Sequence, residues 1–354
     1  MKKSLLIIDK SKSKREGHKL NYLNYFLMWS QISKDVVDTS FLINSELNIN
    51  ELKLKNLNNI EKTNFTKEWF YSLTVKENMD IFLTWNYDFT LSEIFYLGKK
   101  LNKNKTNLYI LGNYSNLERE SFSLFKIKTY LSLIFYKFVN KNTYFLSWDS
   151  YIIEDLNNKL LLKNSFHYLY DYQKLGVDKE KTVIENKKDS VGFFGTLSIE
   201  RGFYDFVNLA KNNKNLLFRA HGELSLNKKY FVKKWKLQKL IKKLNNLNIE
   251  TEFINDEVMF LNKILENKFL FLGGKYKLPS GIAKLAYIHN IPIINNSRNS
   301  WVKDFIEDKQ CGSFVTDLQL DVEKIQKSYN SSILKNENFD VLIKSLDKIF
   351  LPNA

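Results

Sequence analysis

The chain has 354 residues, a formal charge of +15 and an isoelectric point near 9.4, and its hydrophobic fraction of 44% is ample for packed cores. Twelve glycines and three prolines argue against disorder and against a sandwich of tight turns, while a single cysteine, Cys311, excludes an internal disulfide and any CxxC pair. The positive field favours partners that carry phosphate, without choosing among nucleotides, nucleic acid and an anionic membrane surface.

Leu5–Ile8 is an apolar run closed by Asp9, shorter than a signal-peptide core, and it reads as a first buried strand. A helix is predicted over Leu20–Trp29, a strand over Asp80–Thr84, a helix over Leu91–Leu101, and strands over Leu108–Leu111 and Tyr144–Ser147. Between them Phe122–Val139 is strongly apolar, but Lys126, Lys128 and Lys137 interrupt the ~18 apolar residues a bilayer span needs. It reads as a buried helix whose lysines snorkel, with a membrane-surface helix as the alternative. The charge-rich VDKEKTVIENKKDS marks a linker, placed at 166–188 between domains at 1–165 and 189–335.

The pattern then restarts. Strand Ser190–Phe194 is followed by helix Tyr204–Lys211, strand Leu216–Ala220, helix Phe231–Leu247, strand Glu250–Phe253 and helix Glu257–Glu266. Strands Phe269–Leu272, Ile291–Asn295 and Ser313–Val315 complete a second sheet. In the closing segment 336–354, a helix over Asn338–Phe350 sets Phe339, Leu342, Ile343, Leu346 and Phe350 on one face, suited to packing back on the first domain. Strands alternating with helices imply parallel sheets and an α/β chain of two Rossmann-like domains.

Two segments carry candidate chemistry. In VGFFGTLSIERGF, Val191–Phe203, a strand ends at Gly195 and Thr196, and Arg201-Gly202 opens a helix. Small residues there let backbone N–H groups approach a phosphate, the helix N-terminus favours negative charge, and Arg201 adds a bidentate donor. In KLPSGIAKLAYIHNIPIIN, Lys277–Asn295, Ser280 is a favoured N-cap and Gly281 leaves the backbone open at the first turn. The following helix is expected to bury Ile282, Leu285, Ala286 and Ile288 or His289. Upstream, Phe269–Leu272 ends at Gly273-Gly274, so Ser280 and Gly281 lie beyond a strand's carboxyl end, where open α/β sheets bind ligands.

These segments resemble the C-terminal domain of GT-B glycosyltransferases, especially family four and related bacterial surface-polysaccharide enzymes. VGFFGTLSIERGFYDFVNLAK resembles their first motif, and LPSGIAKLAYIHNIPIINNSRNSWVKDFIEDKQCGSFV their donor segment, ending in Gly312 before an apolar strand. FRAHGEL, with Gly222 and Glu223, resembles the intervening strand and turn. The N-terminal half matches through Asp9 and then Gly17-His18, opening a helix with Tyr22. The resemblance implies two facing Rossmann-like domains with a cleft between them. It implies a nucleotide-sugar donor whose diphosphate meets Arg201 and the backbone at Ser280 and Gly281, with Gly17 in the first-domain loop facing the donor. It implies sugar transfer to a glycan or lipid-linked acceptor in bacterial surface polysaccharide synthesis, with the donor as substrate and no separate cofactor.

The chain departs from the family pattern in one place. Lys277 and Leu285 stand where many relatives carry a pair of glutamates. The sequence holds no Asp-x-Asp, so metal independence is expected, with basic residues and helix dipoles on the diphosphate. An inverting transferase needs a general base, for which His18 is the first candidate and Asp9, Asp88 and Asp149 are the others, whereas a retaining transferase can use a donor phosphate oxygen and show no base. Lys228–Lys243 contains eight lysines and no acid, with Phe231, Trp235, Leu240, Ile241 and Leu244 as an apolar stripe. It reads as the solvated face of a packed helix or a contact for an anionic membrane. A cytoplasmic enzyme, loosely held at the inner membrane face, is the expectation from this reading. The rivals are a non-catalytic GT-B-like nucleotide- or partner-binding protein, an epimerase-type enzyme on a similar double fold, and a basic nucleic-acid-binding protein. No nucleic-acid motif accompanies the charge, so nucleic acid is not an expected partner.

Overall fold

The computed structural model describes residues 2–12, 18–48, 59–85, 88–104, 106–119, 123–169, 189–225, 231–252, 254, 257–274, 279–296, 300–315, 319–329 and 339–351, excluding the side chains of 18–21, 116, 119, 231–234, 257 and 339. The chain divides into two units, Met1–Asp171 with Asp340–Ala354, and Tyr172–Phe339.

In the first unit the elements run β1 (Lys3–Asp9), α1 (His18–Ile32), β2 (Val37–Asn44), β3 (Ile60–Thr63), α2 (Lys67–Ser72), β4 (Met79–Leu83), α3 (Leu91–Asn104), β5 (Leu108–Leu111), α4 (Ser115–Arg119), α5 (Leu124–Val139), β6 (Thr143–Ser147), α6 (Ile153–Asn157) and β7 (Phe166–Tyr168). The seven strands are parallel in the order β3-β2-β1-β4-β5-β6-β7. β4 and β5 are buried along their whole length, because helices on both faces of a parallel sheet leave no solvated side.

The second unit repeats the design. Its elements are β8 (Ser190–Phe194), α7 (Phe203–Asn212), β9 (Leu217–His221), α8 (Phe231–Ile241), β10 (Leu247–Glu250), α9 (Glu257–Leu265), β11 (Phe269–Phe271), α10 (Gly281–Ile288), β12 (Ile293–Asn295), α11 (Trp301–Lys309), β13 (Gly312–Phe314) and α12 (Val322–Lys327). The strand order is β10-β9-β8-β11-β12-β13, again all parallel. Its core gathers Phe193, Phe203, Phe206, Phe218 and Phe271.

The last helix, α13 (Phe339–Phe350), belongs to the first unit. Phe350 is buried among Trp29, Phe82 and Tyr109, at ring distances of 5.3, 5.5 and 4.9 Å. The Trp29 indole N–H donates to Asp347 at 2.9 Å and the Lys3 ammonium to the Phe350 carbonyl at 2.9 Å.

The structure corrects several sequence expectations. Edge strands β3 and β7 carry no continuous apolar run and were not foreseen, nor was β2, whose first half alternates Val37, Asp38, Thr39, Ser40 between buried and exposed. α8 stops at Ile241, and β10 begins three residues before the expected strand at Glu250. The reason is Asn246, whose side-chain amide donates to the carbonyls of Ala210, Asn213 and Leu216 and pins the turn. Trp235 is exposed while Leu237 is buried, so Leu237 rather than Trp235 anchors α8. Within α10 the buried residues are Ala283, Lys284, Ala286 and Tyr287, one position out of phase with expectation. α5 is not a buried helix. It buries Leu133 and Tyr136 and leaves Leu124, Leu131 and Phe138 exposed.

Candidate functional site

In both sheets the chain winds outward from a central strand, returns, and winds the other way. The switch falls between β1 and β4 in one sheet and between β8 and β11 in the other. Crevices beyond the carboxyl ends of strands at such points are where open parallel sheets bind ligands.

In the second unit β8 runs into Gly195, which has a φ of +100°. The Gly195 N–H donates to the His221 carbonyl at 3.0 Å and the Gly222 N–H to the Glu250 carbonyl at 3.0 Å, extending the ladder past the strand ends. A Cβ on Gly222 would lie 1.9 Å from the Gly195 carbonyl oxygen, so two backbones meet with no room for a side chain. The Thr196 carbonyl accepts from the Ser198 N–H at 3.0 Å, and the Leu197 N–H donates to the carbonyl of Glu223 at 2.8 Å, while the Glu223 side chain is exposed. Gly202 caps α7 in the left-handed region, packed against the Gly273-Gly274 backbone. Asn296 binds this corner together. Its Oδ1 accepts from the Gly274 N–H at 3.0 Å and its amide donates to Asp205 of α7 at 2.9 Å.

Arg201 and α10 converge on Gly195. The Arg201 Nη1 lies 3.3 Å, and the Ile282 Cδ1 3.8 Å, from where a Gly195 Cβ would stand. Ile282 thus turns to the strand ends rather than into the core, which accounts for the shifted buried face of α10. Ser280 caps that helix, its Oγ accepting from the Ala283 N–H at 3.3 Å. A guanidinium, glycine backbone and a capped helix start in one corner form an arrangement suited to an anion such as a diphosphate. Sequence reasoning also passed over a polar group at the ends of β9 and β10. His221 Nδ1 lies 3.3 Å from Glu250, which Lys263 holds at 3.1 Å; the Lys263 hydrogen bond keeps the Glu250 carboxyl below its ordinary range.

In the first unit Asp9 closes β1 and is 1% exposed. Its Oδ1 accepts from the Ser11 N–H at 2.8 Å, while Oδ2 is buried without a hydrogen-bond partner among the described residues. Burial raises its carboxyl above the ordinary value of 3.8, and nearby Asp88 adds to the rise. An aromatic group stands at the same sheet end: Tyr22 stacks on Trp148 at 4.5 Å, and Trp148 lies 4.8 Å from Trp85. Asp149 proves to be a cap, accepting from the Ser115 hydroxyl at 2.7 Å and the Tyr151 N–H at 3.2 Å. His18 is the first residue of α1, but its side chain lies outside the described residues, as do Gly17 and Lys277 entirely.

Two doubly wound parallel sheets, each with its switch point, define a pair of Rossmann-like domains, and the chain has the fold of the GT-B glycosyltransferases. Among solved structures it is similar to the lipopolysaccharide outer core galactosyltransferase WaaB, at a TM-score of 0.58 and 11% identity over 99% of this chain and 100% of that one. It is equally similar to Anabaena HepE in complex with UDP and glucose, at a TM-score of 0.58 and 10% identity over 98% and 94% of the two chains. AviGT4, a glycosyltransferase involved in avilamycin A biosynthesis, is similar at a TM-score of 0.52 and 7% identity over 98% and 93%. No family model and no curated protein matches the chain.

Proposed function

We propose that the protein is a glycosyltransferase that moves a sugar from a nucleotide-sugar donor to an acceptor hydroxyl. The observation that carries this reading is the convergence of Arg201, Gly195 and the first turn of α10 at the switch point of the second sheet. The guanidinium and backbone N–H groups would stabilise charge developing on the departing diphosphate, the electrostatic work that glycosyl transfer asks of its enzyme. On this reading the leaving-group chemistry rests on the protein, and the reaction is independent of metal. HepE is described with UDP and with UDP-glucose, which makes a uridine diphosphate sugar the first donor to test.

Asp9 is the base we assign for the acceptor hydroxyl, with His18, the first residue of α1, as the other candidate. A buried carboxyl with a raised pKa holds a proton more readily at neutral pH than an exposed one, as a general base requires. The acceptor we assign is a glycan or lipid-linked saccharide of a bacterial surface polymer, by analogy with WaaB, whose description names lipopolysaccharide.

Calorimetry against UDP, GDP and CMP and their sugars tests the donor site. Arg201→Ala should weaken binding of the preferred nucleotide about 10- to 100-fold, the worth of a charge-assisted bidentate contact. Unchanged affinity removes Arg201 from the site. A second reading, a nucleotide-binding protein without transfer, is favoured by Lys277 and Leu285 in place of the usual glutamates. Saturable donor binding with neither donor hydrolysis nor transfer would select it.

A further inference from the structure

Neither strand-end site accounts for one face of the first unit. α5 has 16 residues and no acid. At about 100° per residue, Leu124, Ile127, Leu131 and Phe138 share a stripe roughly 60° wide. Leu124 is 83% exposed, Leu131 59% and Phe138 85%, while the opposite side buries Leu133 and Tyr136. The stripe continues onto its neighbours. The short 3-10 turn Leu160–Leu162 packs against α5 and leaves Leu160 86% and Leu161 61% exposed. On α3, Phe95 stacks against Phe135 of α5 at 6.0 Å. An exposed apolar surface spread over three elements marks a contact site rather than scattered surface residues.

The charges name the partner. α3, α5 and the segment Lys159–Lys163 together contain eight lysines and one acid, Glu93. Of the lysines, Lys126 and Lys137 lie on the Leu133 side of α5 and Lys100 donates to the carbonyls of Phe70 and Tyr71, whereas Lys128 flanks the stripe and Lys99, Lys103 and Lys163 are exposed on the neighbouring elements. Glu93 is buried and held by Lys10 at 2.9 Å, and nearby Glu118 is held by Lys159 at 3.3 Å. Glu154 and Asp155 are exposed on α6, which packs against the Leu160–Leu162 turn. Two copies of the chain meeting through this face would set lysine against lysine, which disfavours a symmetric dimer. An anionic leaflet complements it, with apolar tails for the leucines and phenylalanine and phosphate headgroups for the ammonium groups. Among the described residues no helix is long and apolar enough to cross a membrane, so the fitting geometry is a helix lying in the interface.

We propose that α5, with Leu160 and Leu161, is a docking surface for anionic phospholipid bilayers. Docking does not require the transferase reading, though it would bring that enzyme to a lipid-linked acceptor. The test is co-sedimentation of the full chain with vesicles of phosphatidylcholine alone and of phosphatidylcholine with one-third phosphatidylglycerol. The parent should bind the anionic vesicles, more weakly at high salt. The double variant Leu131→Ser/Phe138→Ser should lose about tenfold or more in partitioning, with an unchanged melting temperature because both side chains are exposed. Equal binding by variant and parent, as expected if Lys228–Lys243 carried the contact, overturns the proposal. So does the absence of binding by the parent, or light scattering that shows a dimer abolished by the same variant without lipid binding. UDP calorimetry on the double variant keeps the two readings apart: donor affinity should be unchanged, and Arg201→Ala should still bind vesicles.

Discussion

The two sheets are wound alike, yet their carboxyl ends are built from different materials. At the end of β8 the chain uses backbone: Gly195, Gly202, Gly222, Gly273 and Gly274 bring main chain against main chain, and Arg201 is the charged side chain over the corner. At the end of β1 it uses side chains: the buried carboxyl of Asp9 and the ring group of Tyr22, Trp85 and Trp148. Backbone N–H groups and a fixed cation suit a ligand that is anionic throughout the reaction. A desolvated carboxyl suits a proton that must be taken at one moment. On the proposed reading one topology supplies two chemistries, and the difference lies in the loops and helix starts beyond each strand rather than in the strands themselves.

The comparison breaks most severely at Gly222. Its φ is +144° and an alanine Cβ would stand 1.9 Å from the Gly195 oxygen, an atom of the main chain that cannot rotate away. Gly222→Ala should cost upward of about 4 kcal/mol and abolish nucleotide binding. In a denaturant titration it should remove the transition of the second unit and spare that of the first. Gly98→Ala is the matched change in the first unit. Its Cβ would meet the Val139 side chain at 2.7 Å, inside α3, where alanine gains about 1 kcal/mol of helix propensity. Valine can shift, so the net effect should stay within about 1 kcal/mol. Equal effects of the two changes would show that backbone contact is not what builds the β8 end.

At Asp9 the chemistry and the stability of the fold oppose each other. Its folded pKa is raised, so the stability tied to this carboxyl is full below the unfolded value and is lost as pH rises through the folded value. Asp9→Asn removes that loss. The variant should be more stable than the parent at neutral pH, and the two should converge near about pH 3. Its kcat for sugar transfer should fall about 10²- to 10⁴-fold if Asp9 is the base. A stabilised variant with full activity would make Asp9 a buried structural acid and move the base to His18. The parent's activity should climb with pH through the raised Asp9 value, and the variant should lack that limb.

Much of this contrast was legible in the residues. The strands buried on both faces announce themselves as apolar runs, and Leu108–Leu111 and Ser190–Phe194 fall at the predicted residues. The corner at Gly195 was legible as turn and cap chemistry, a glycine at a strand end and a serine before a helix, but such residues occur throughout α/β chains and it was the two segments together that pointed to a ligand corner. The elements that escaped lie largely at sheet edges. Glu61 and Lys62 of β3 face solvent, and β7 buries only Phe166, so neither carries a burial signal to read. The amide of Asn246 escaped for another reason. It satisfies carbonyls at Ala210, Asn213 and Leu216, far from it in sequence, and periodicity holds no trace of such a contact. Asp9 was foreseen as a strand end, while its desolvation depends on the strands and helix that close over it.

The smallest effect gives the finest test of the β8 corner, because it asks which atoms of the α10 start meet the ligand. Ser280 can act through its hydroxyl or through the helix it caps. Its Oγ already accepts from the Ala283 N–H, which commits the hydroxyl to the cap and leaves the N–H groups of Gly281 and Ile282 as the first-turn donors outside the helix ladder. On that reading Ser280→Ala costs about 1 kcal/mol of stability, and Ser280→Gly only a few tenths, in keeping with their N-cap ranking. Nucleotide affinity in calorimetry should then move less than about threefold in either variant, since neither removes a backbone donor. If the hydroxyl itself reached a phosphate oxygen, both variants would lose affinity alike, whatever their stability. Parallel losses of affinity in alanine and glycine would therefore assign the contact to the side chain, whereas a loss of stability confined to alanine would assign it to the backbone of α10.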